Sequence, residues 1–394
     1  MAMIIACGLR DTAATQLAEL AGRKGDASTF VAAGSADAAL ALATSPAIDG
    51  RPVALISAIG TYEGEKLLRR AGKESPGLTR FAVAAGVADP ANAVQAHRTL
   101  GESQSAAEWM DVIGRTCELR ARLAAPATRR LVESVASLPA VPRAYWALMD
   151  ALSNDDSTAA DIAAIVQTEP SMAIRVLQIA NSAFFGAGRQ VRTIEAAVRY
   201  LGTNLLRGLI LMIHVCGCCE SNGPTNRNLS LEQFQDFSLR VARLARAMPA
   251  GRKIADEAYT AGLMLDIGRL ALSLSAAEQF DEIHSRMAQG APHLHVVERE
   301  VLGVSHAEVG ASLLAGWGLP WPLVEAIAFH HSPSALGSTR DCEILAVVHA
   351  ADALLGIAHG ESEDQLDVDF LTRAGWGGEL DRCRALAQKE AATA

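Results

Sequence analysis

Short apolar runs alternate with helix-patterned stretches over residues 1–122, and beyond them the alternation stops. Met3–Cys7, Thr29–Ala33, Val53–Ser57 and Phe81–Ala85 read as strands, while Thr12–Ala21 and Ala36–Ala43 read as helices between them. A strand that follows a helix back into the same sheet pairs in parallel, which restricts this stretch to a parallel α/β arrangement. A connecting helix, Trp109 through Leu123, ends at Pro126. No strand pattern recurs after it. The expected fold is an N-terminal α/β domain followed by an all-α domain, mostly α overall.

The chain has 394 residues, too many for one ordinary core. Half of them are hydrophobic and only 5% aromatic, which favours closely packed helices over an aromatic-rich sandwich. The net charge is −9 and no Lys/Arg block occurs, so no nucleic acid is expected as a partner. The first residues, Met1 to Leu9, lack the basic and apolar regions of a signal peptide. No apolar run reaches ~18 residues, so no membrane association is expected. Seven cysteines without framework spacing suit reduced thiols, and the expected location is the cytoplasm. Cys216, Cys218 and Cys219 lack the second pair that a structural zinc site needs, and read as small buried residues.

The helical part carries its own punctuation. Leu138-Pro139-Ala140-Val141-Pro142 fixes an extended entry to a helix. Thr158-x-x-Asp161 is a capping arrangement for the helix bearing Ile162, Ile165 and Val166. Pro170-Ser171 starts another, with Val176, Leu177 and Ala180 on one face. Thr193 caps a third, whose Ile194, Ala197, Val198 and Leu201 fall at the spacing of a buried stripe. No repeat of fixed period is visible.

Within this block, Leu138-Pro139-x-x-Pro142, Thr168-Glu169-Pro170-Ser171-Met172, Val176 through Gly186 and Ile194 through Gly202 resemble the HDOD (HD-related output) domain of bacterial signalling proteins. The specific string is Ala180-Asn181-Ser182-Ala183-Phe184-Phe185-Gly186. Asn181, Ser182 and Gly186 suit a helix end and a tight turn, and Phe184 and Phe185 a wedge between helices. The resemblance spans roughly residues 131–355. It divides the chain into an α/β domain at 1–122, a linker helix at 123–137, the HDOD domain at 138–360 and a helical tail at 361–394.

The N-terminal alternation resembles a response-regulator receiver domain stripped of its chemistry. Receivers place acidic residues after the first strand, a phospho-accepting Asp at the end of the third and a Lys at the end of the fifth. The corresponding positions here are Gly8-Leu9-Arg10, Ser57 and Glu102, with Ala84-Ala85 ending the fourth strand. Phosphoryl transfer to a carboxylate needs that nucleophile, a bound cation and a charge to steady the phosphoryl group. Asp11, the nearest carboxylate, reads as a helix N-cap. The domain is expected to be a pseudo-receiver.

The second half of the helical domain resembles an HD fold. Gly262-Leu263-Met264-Leu265-Asp266-Ile267-Gly268 matches the HD segment of metal-dependent phosphohydrolases with Leu265 in the histidine's place. Phe237-Ser238-Leu239-Arg240-Val241-Ala242 matches the segment that supplies the first histidine ligand, with Phe237 in its place. Glu300 through Gly310, Trp317-x-Leu319-Pro320, His330-His331 and Ala351-Asp352 follow in the order seen in HD-GYP phosphodiesterases, without the Gly-Tyr-Pro signature.

The residual pocket candidates are Asp266, His306, His330, His331 and Asp352. Ser305-x-x-Glu308 is a capping box that puts His306 in a first helical turn. His330 and His331, if helical, project about 100° apart, so at most one faces a pocket. Asp352 can pair with one of them. With both histidine positions lost, no catalytic residue, bound metal or cofactor is expected.

What the resemblance implies is a non-catalytic regulatory module that binds signalling proteins or a nucleotide second messenger, with a homodimer left open. The alternatives are a divergent HD phosphohydrolase using Asp266, His306, His330 and Asp352, and a cyclic-dinucleotide sensor using Arg240, Arg269 and Arg299. The acidic run Glu363 to Asp369 reads as a surface turn, and Trp317 and Trp321 as packing around a helix-turn-helix.

Overall fold

The computed structural model describes residues 3–9, 11–23, 29–43, 53–59, 62–75, 78–84, 96–135, 157–168, 193–202, 229–248, 252–316 except 292, 319–339 and 342–392, with isolated positions between them. It divides into two compact units, Met1–Arg122 and Leu123–Ala394.

In the first unit a five-stranded parallel sheet is built from β1 (Met3–Cys7), β2 (Thr29–Ala33), β3 (Val53–Ile59), β4 (Thr79–Ala84) and β5 (Arg98–Gly101). Their order is β2-β1-β3-β4-β5, the doubly wound order of flavodoxin-like domains. Four helices accompany it: α1 (Asp11–Arg23), α2 (Ala36–Ala43), α3 (Tyr62–Glu74) and α4 (Ala106–Leu123). Alternate strand residues supply two cores. Ile4, Ala54, Ile56, Phe81 and Leu100 pack with Leu17 of α1 and Trp109, Val112 and Ile113 of α4. Ile5 and Leu55 pack with Leu40 of α2 and Leu67 of α3. Both faces are covered, so the strands read as continuous apolar runs rather than alternating ones.

Two expectations change here. The third strand runs past Ser57 to Ile59, because Ala58 and Ile59 pair in register with Val83 and Ala84 of β4. The fifth strand, Arg98–Gly101, carries no apolar run, having Leu100 alone, and is held by pairing with β4. Glu102 follows it directly. Among the described residues, the C-terminal ends of β1, β3 and β4 are Cys7-Gly8-Leu9, Ile59 and Ala84, with no carboxylate.

The second unit is helical. Its described helices are α5 (Pro126–Val135), α6 (Ala159–Gln167), α7 (Ile194–Leu201), α8 (Leu231–Ala247), α9 (Arg252–Met264), α10 (Ile267–Ser275), α11 (Ala277–Ala288), α12 (Leu294–Leu302), α13 (His306–Gly316), α14 (Trp321–Phe329), α15 (Glu343–Ala358), α16 (Val368–Arg373) and α17 (Leu380–Ala391). The stretch expected as a linker helix forms α5, which packs on α10 and α13. The C-terminal α17 packs on α15 and α8.

Local signals were accurate. Thr158 accepts from the Asp161 amide and Asp161 reaches back, a full capping box. Thr193 caps α7, and Ile194, Ala197, Val198 and Leu201 are its buried stripe. Trp321 is buried rather than part of an aromatic surface. Trp317, Leu138 to Pro142, Asn181 to Gly186 and Cys216 to Cys219 lie outside the described residues. No helix among the described residues is long and apolar enough to cross a membrane.

The two glycines of the Gly262–Gly268 heptapeptide set the packing beneath the candidate pocket. A Cβ on Gly262 would stand 3.0 Å from the Ala242 Cα on α8. One on Gly268 would stand 1.9 Å from the His306 carbonyl oxygen on α13. Helices α10 and α13 therefore touch backbone to backbone where the pocket forms.

Candidate functional site

Asp266 sits between α9 and α10, in the N-cap position of α10, yet makes no side-chain capping bond. Its carboxylate turns inward instead. Oδ2 accepts from Arg269 Nη1 at 3.0 Å and Oδ1 lies 3.2 Å from His306 Nε2. Leu265, in the place of the lost histidine, is a buried core residue. Phe237 is half-buried on α8.

His306 opens α13. Gly303, at φ +76°, ends α12 in the left-handed conformation that glycine adopts at low cost and turns the chain into Ser305. Glu308 Oε2 then accepts from both the Ser305 amide and hydroxyl, as the capping motif requires. The partner that sequence reasoning missed is Glu298 on α12. Its Oε2 accepts from the His306 backbone N–H at 2.8 Å and lies 2.6 Å from His306 Nδ1, with both side chains 1% exposed. A carboxylate on Nδ1 fixes the ring and aims Nε2 inward.

His330 and His331 overturn the geometric expectation made for them. Helix α14 stops at Phe329, so the pair sits on the turn after it, and both rings reach the pocket. His330 Nδ1 donates to the Ile327 carbonyl at 2.7 Å, which leaves its Nε2 as a bare lone pair. Among the described residues that atom is buried without a hydrogen-bond partner, 3.9 Å from Asp266 Oδ1. His331 Nε2 lies 3.1 Å from His306 Nε2. One ligand atom from each of Asp266, His306, His330 and His331 falls within 4.8 Å of the others. Asp352, the fifth candidate, stands at the edge, 3.9 Å from His331 Nδ1.

The charges sort by surroundings. Burial opposes the charge on His306, but Glu298 and Asp266 override it and raise its pKa to about 10. Burial likewise opposes the Asp266 charge, while the His306 hydrogen bond and Arg269 hold that carboxyl well below the usual range. His330 drops to about 3, through burial and then His306. His331 falls well below its ordinary value for the same reasons, with His330 adding to them. Burial and Asp266 push Asp352 well above the carboxylate range. The His331–Asp352 contact thus joins two groups whose charged forms burial opposes, and the positive charge among the imidazoles is that of the His306 imidazolium. A divalent cation can take the same place, since His306 and His330 have their Nδ1 atoms engaged and direct Nε2 inward. Three imidazoles and one carboxylate suit a borderline transition metal better than magnesium or calcium.

Above the pocket lies a cleft of about 480 Å³ lined by His293, His295, His331, Asp364, Asp367 and Asp369. The rings of His295 and His331 stack at 4.5 Å. The nucleotide-sensor arginines are engaged with acidic partners: Arg269 with Asp266, Arg299 with Glu308, and Arg240 with Asp236. The acidic run expected as a surface turn supplies Asp364, Asp367 and Asp369 to the cleft.

A helical frame that converges imidazoles and a carboxylate on a buried point is related to the metal-dependent phosphohydrolases. The HDOD family model matches residues 138–333, and this stretch of the chain is an HDOD domain. It is similar to an HDOD domain protein of unknown function from Geobacter sulfurreducens, at 25% identity and a TM-score of 0.54, over 69% of this chain and 93% of that one. It is similar too to a protein of Shewanella amazonensis SB2B provisionally described as a phosphohydrolase, at 25% identity and a TM-score of 0.52, over 68% of this chain and 99% of that one. An uncharacterised protein of Treponema pallidum (strain Nichols) is 26% identical over 209 residues, 52% of this chain and 40% of that protein. The chain thus matches well under half the length of this curated relative.

Proposed function

We propose that the chain is a signal-transduction protein whose HDOD domain regulates by binding, without turnover. The observation that carries this reading is the pairing of lost and kept positions. Phe237 and Leu265 stand where the HD phosphohydrolases place histidines, while Asp266, His306 and His330 are buried at the centre. Hydrolysis needs an open coordination position for water beside the substrate. Here the cluster meets the cleft through His331, whose side chain is 17% exposed.

A phosphate-bearing messenger fits the cleft poorly. Among the described residues its lining includes three aspartates and no lysine or arginine, and anions bind where cations or backbone N–H groups face them. A protein partner is the better match for an output module of this kind.

The phosphohydrolase reading keeps one specific support, the convergence of Asp266, His306, His330 and His331, together with the likeness to the Shewanella protein. The two readings separate in a chromogenic phosphodiester assay on the full chain with manganese, iron(II) or zinc supplied. The binding module releases no product above the blank; product formation that Asp266→Ala abolishes supports the enzyme instead.

A further inference from the structure

One wall of the His331 cleft is a short surface segment between α15 and Leu366. Gly360, at φ +98°, closes the turn that ends α15: its amide reaches the Ile357 carbonyl and the Glu361 amide the Gly356 carbonyl, both at 3.0 Å. Leu366 is 5% exposed and fixes the other end. Residues 361–364 between them are exposed. Among the described residues, backbone hydrogen bonds from Ser362 onward stay local, the Gln365 amide to the Ser362 carbonyl and the Leu366 amide to the Glu363 carbonyl. Exposed backbone bonded only to itself opens at low cost. The segment also divides two clefts. Asp364 and Gln365 line the His331 cleft, while Glu363 lines a second one of about 540 Å³ beside Leu354, Ile357 and Ala391. One side-chain clasp holds it on each side. His293 Nε2 lies 3.3 Å from Asp364 Oδ2, and Arg384 donates to both Glu363 oxygens at 2.9 and 3.1 Å. Both acidic side chains are 64% exposed, so each clasp is weak and weakens further with salt.

We propose that residues 361–365 form a hinged flap over the His331 cleft, turning between Gly360 and Leu366 and held shut by the His293–Asp364 and Arg384–Glu363 clasps. With the flap down, His331 keeps only a narrow opening, its side chain 17% exposed. With the flap lifted, a partner reaches that ring and the histidine pair behind it. The buried anchors Leu366, Phe370 and Leu371 keep α16 in place during the motion. This regulation rests on the proposed binding at the cleft, but its readouts are motion and access, so each can fail without the other.

The test is amide exchange of the full chain read by mass spectrometry, alongside acylation of His331 by diethyl pyrocarbonate. Wild type is compared with the double variant Asp364→Asn, Arg384→Gln, which breaks both clasps, and with Asp369→Asn, a cleft residue outside the flap. The double variant is expected to exchange about fivefold faster over residues 361–365 and to be acylated about fivefold faster at His331, with α15 and α16 unchanged. Raised salt is expected to speed both rates in the wild type and neither in the double variant. Asp369→Asn is expected to match the wild type. Equal rates in wild type and double variant overturn the proposal. So does faster exchange without faster acylation, since the segment would not then guard His331. Acceleration that spreads through α15 and α16 overturns it too, by making the segment part of the core.

Discussion

Glu298 Oε2 lies 2.6 Å from His306 Nδ1, and the same oxygen takes the His306 backbone N–H at 2.8 Å. Both side chains are 1% exposed, so one buried carboxylate fixes both the ring and the start of α13. Removing one partner of a buried pair costs about 3–5 kcal/mol, because the other is left without compensation. Glu298→Ala is therefore expected to lower the unfolding free energy of the helical unit by about 3 kcal/mol or more. Glu298→Gln keeps an acceptor and recovers part of that loss. Urea denaturation of the two variants checks it; equal, small losses would remove Glu298 from its central place.

Gly268 is a second fixed point. Gly→Ala within a helix usually gains up to about 1 kcal/mol. Here the added Cβ would stand 1.9 Å from the His306 carbonyl, which is backbone and cannot swing away. Gly268→Ala is expected to destabilise by about 3 kcal/mol, the upper range for overpacking. A stability at or above that of the wild type would show that α10 and α13 are not in backbone contact.

The N-terminal unit carries a half-buried histidine with a clear pH signature. His97 Nδ1 accepts the Arg80 amide at 2.7 Å, and burial, then Arg120 and Arg80, lower its pKa to about 2. The folded value is depressed below the unfolded one, so the contribution to stability is complete above pH 6.5 and is lost as pH falls from 6.5 toward 2. The loss is about 1.4 kcal/mol for each pH unit below 6.5. His97→Gln retains an acceptor for Arg80 without titrating. Amide exchange in β4, compared at pH 7 and pH 5 and corrected for intrinsic rates, is expected to accelerate in the wild type and stay nearly flat in the variant.

His349 ties the pocket to the C-terminal segment. Its Nδ1 donates to the His330 carbonyl at 2.6 Å and its Nε2 accepts the Asp367 amide at 2.9 Å, while Asp367 caps α16 through the Phe370 amide. His349→Leu leaves both backbone groups unpaired, at about 1–3 kcal/mol apiece. Hydrogen exchange is expected to rise across residues 361–374 and to leave α8 unchanged. Uniform exchange across the unit would mean that the histidine supports the whole fold rather than this connection.

The parts of this architecture that were legible in sequence are those encoded locally. Thr158 and Thr193 signal helix starts within a few residues, and β1 to β4 announce themselves as apolar runs. Asp266 and the losses at Leu265 and Phe237 were readable because a short motif frames them. Arg98–Gly101 was not, since its strand state comes from pairing with β4. His330 and His331 were misjudged because nothing local marks Phe329 as the last helical residue. Glu298 escaped notice because its link to His306 depends on how the Gly303 turn folds α12 back on α13. His349 escaped because a histidine in an alanine-rich core helix looks like packing until the carbonyl of His330 is placed beside it.

The most direct measurement of the central claim, binding without turnover, is a single-turnover assay with excess metal-supplemented protein over a chromogenic phosphodiester. The expected result is product release indistinguishable between wild type and Asp266→Ala. Stoichiometric release by the wild type, lost in Asp266→Ala while its fold persists, would contradict it and make the chain a phosphohydrolase.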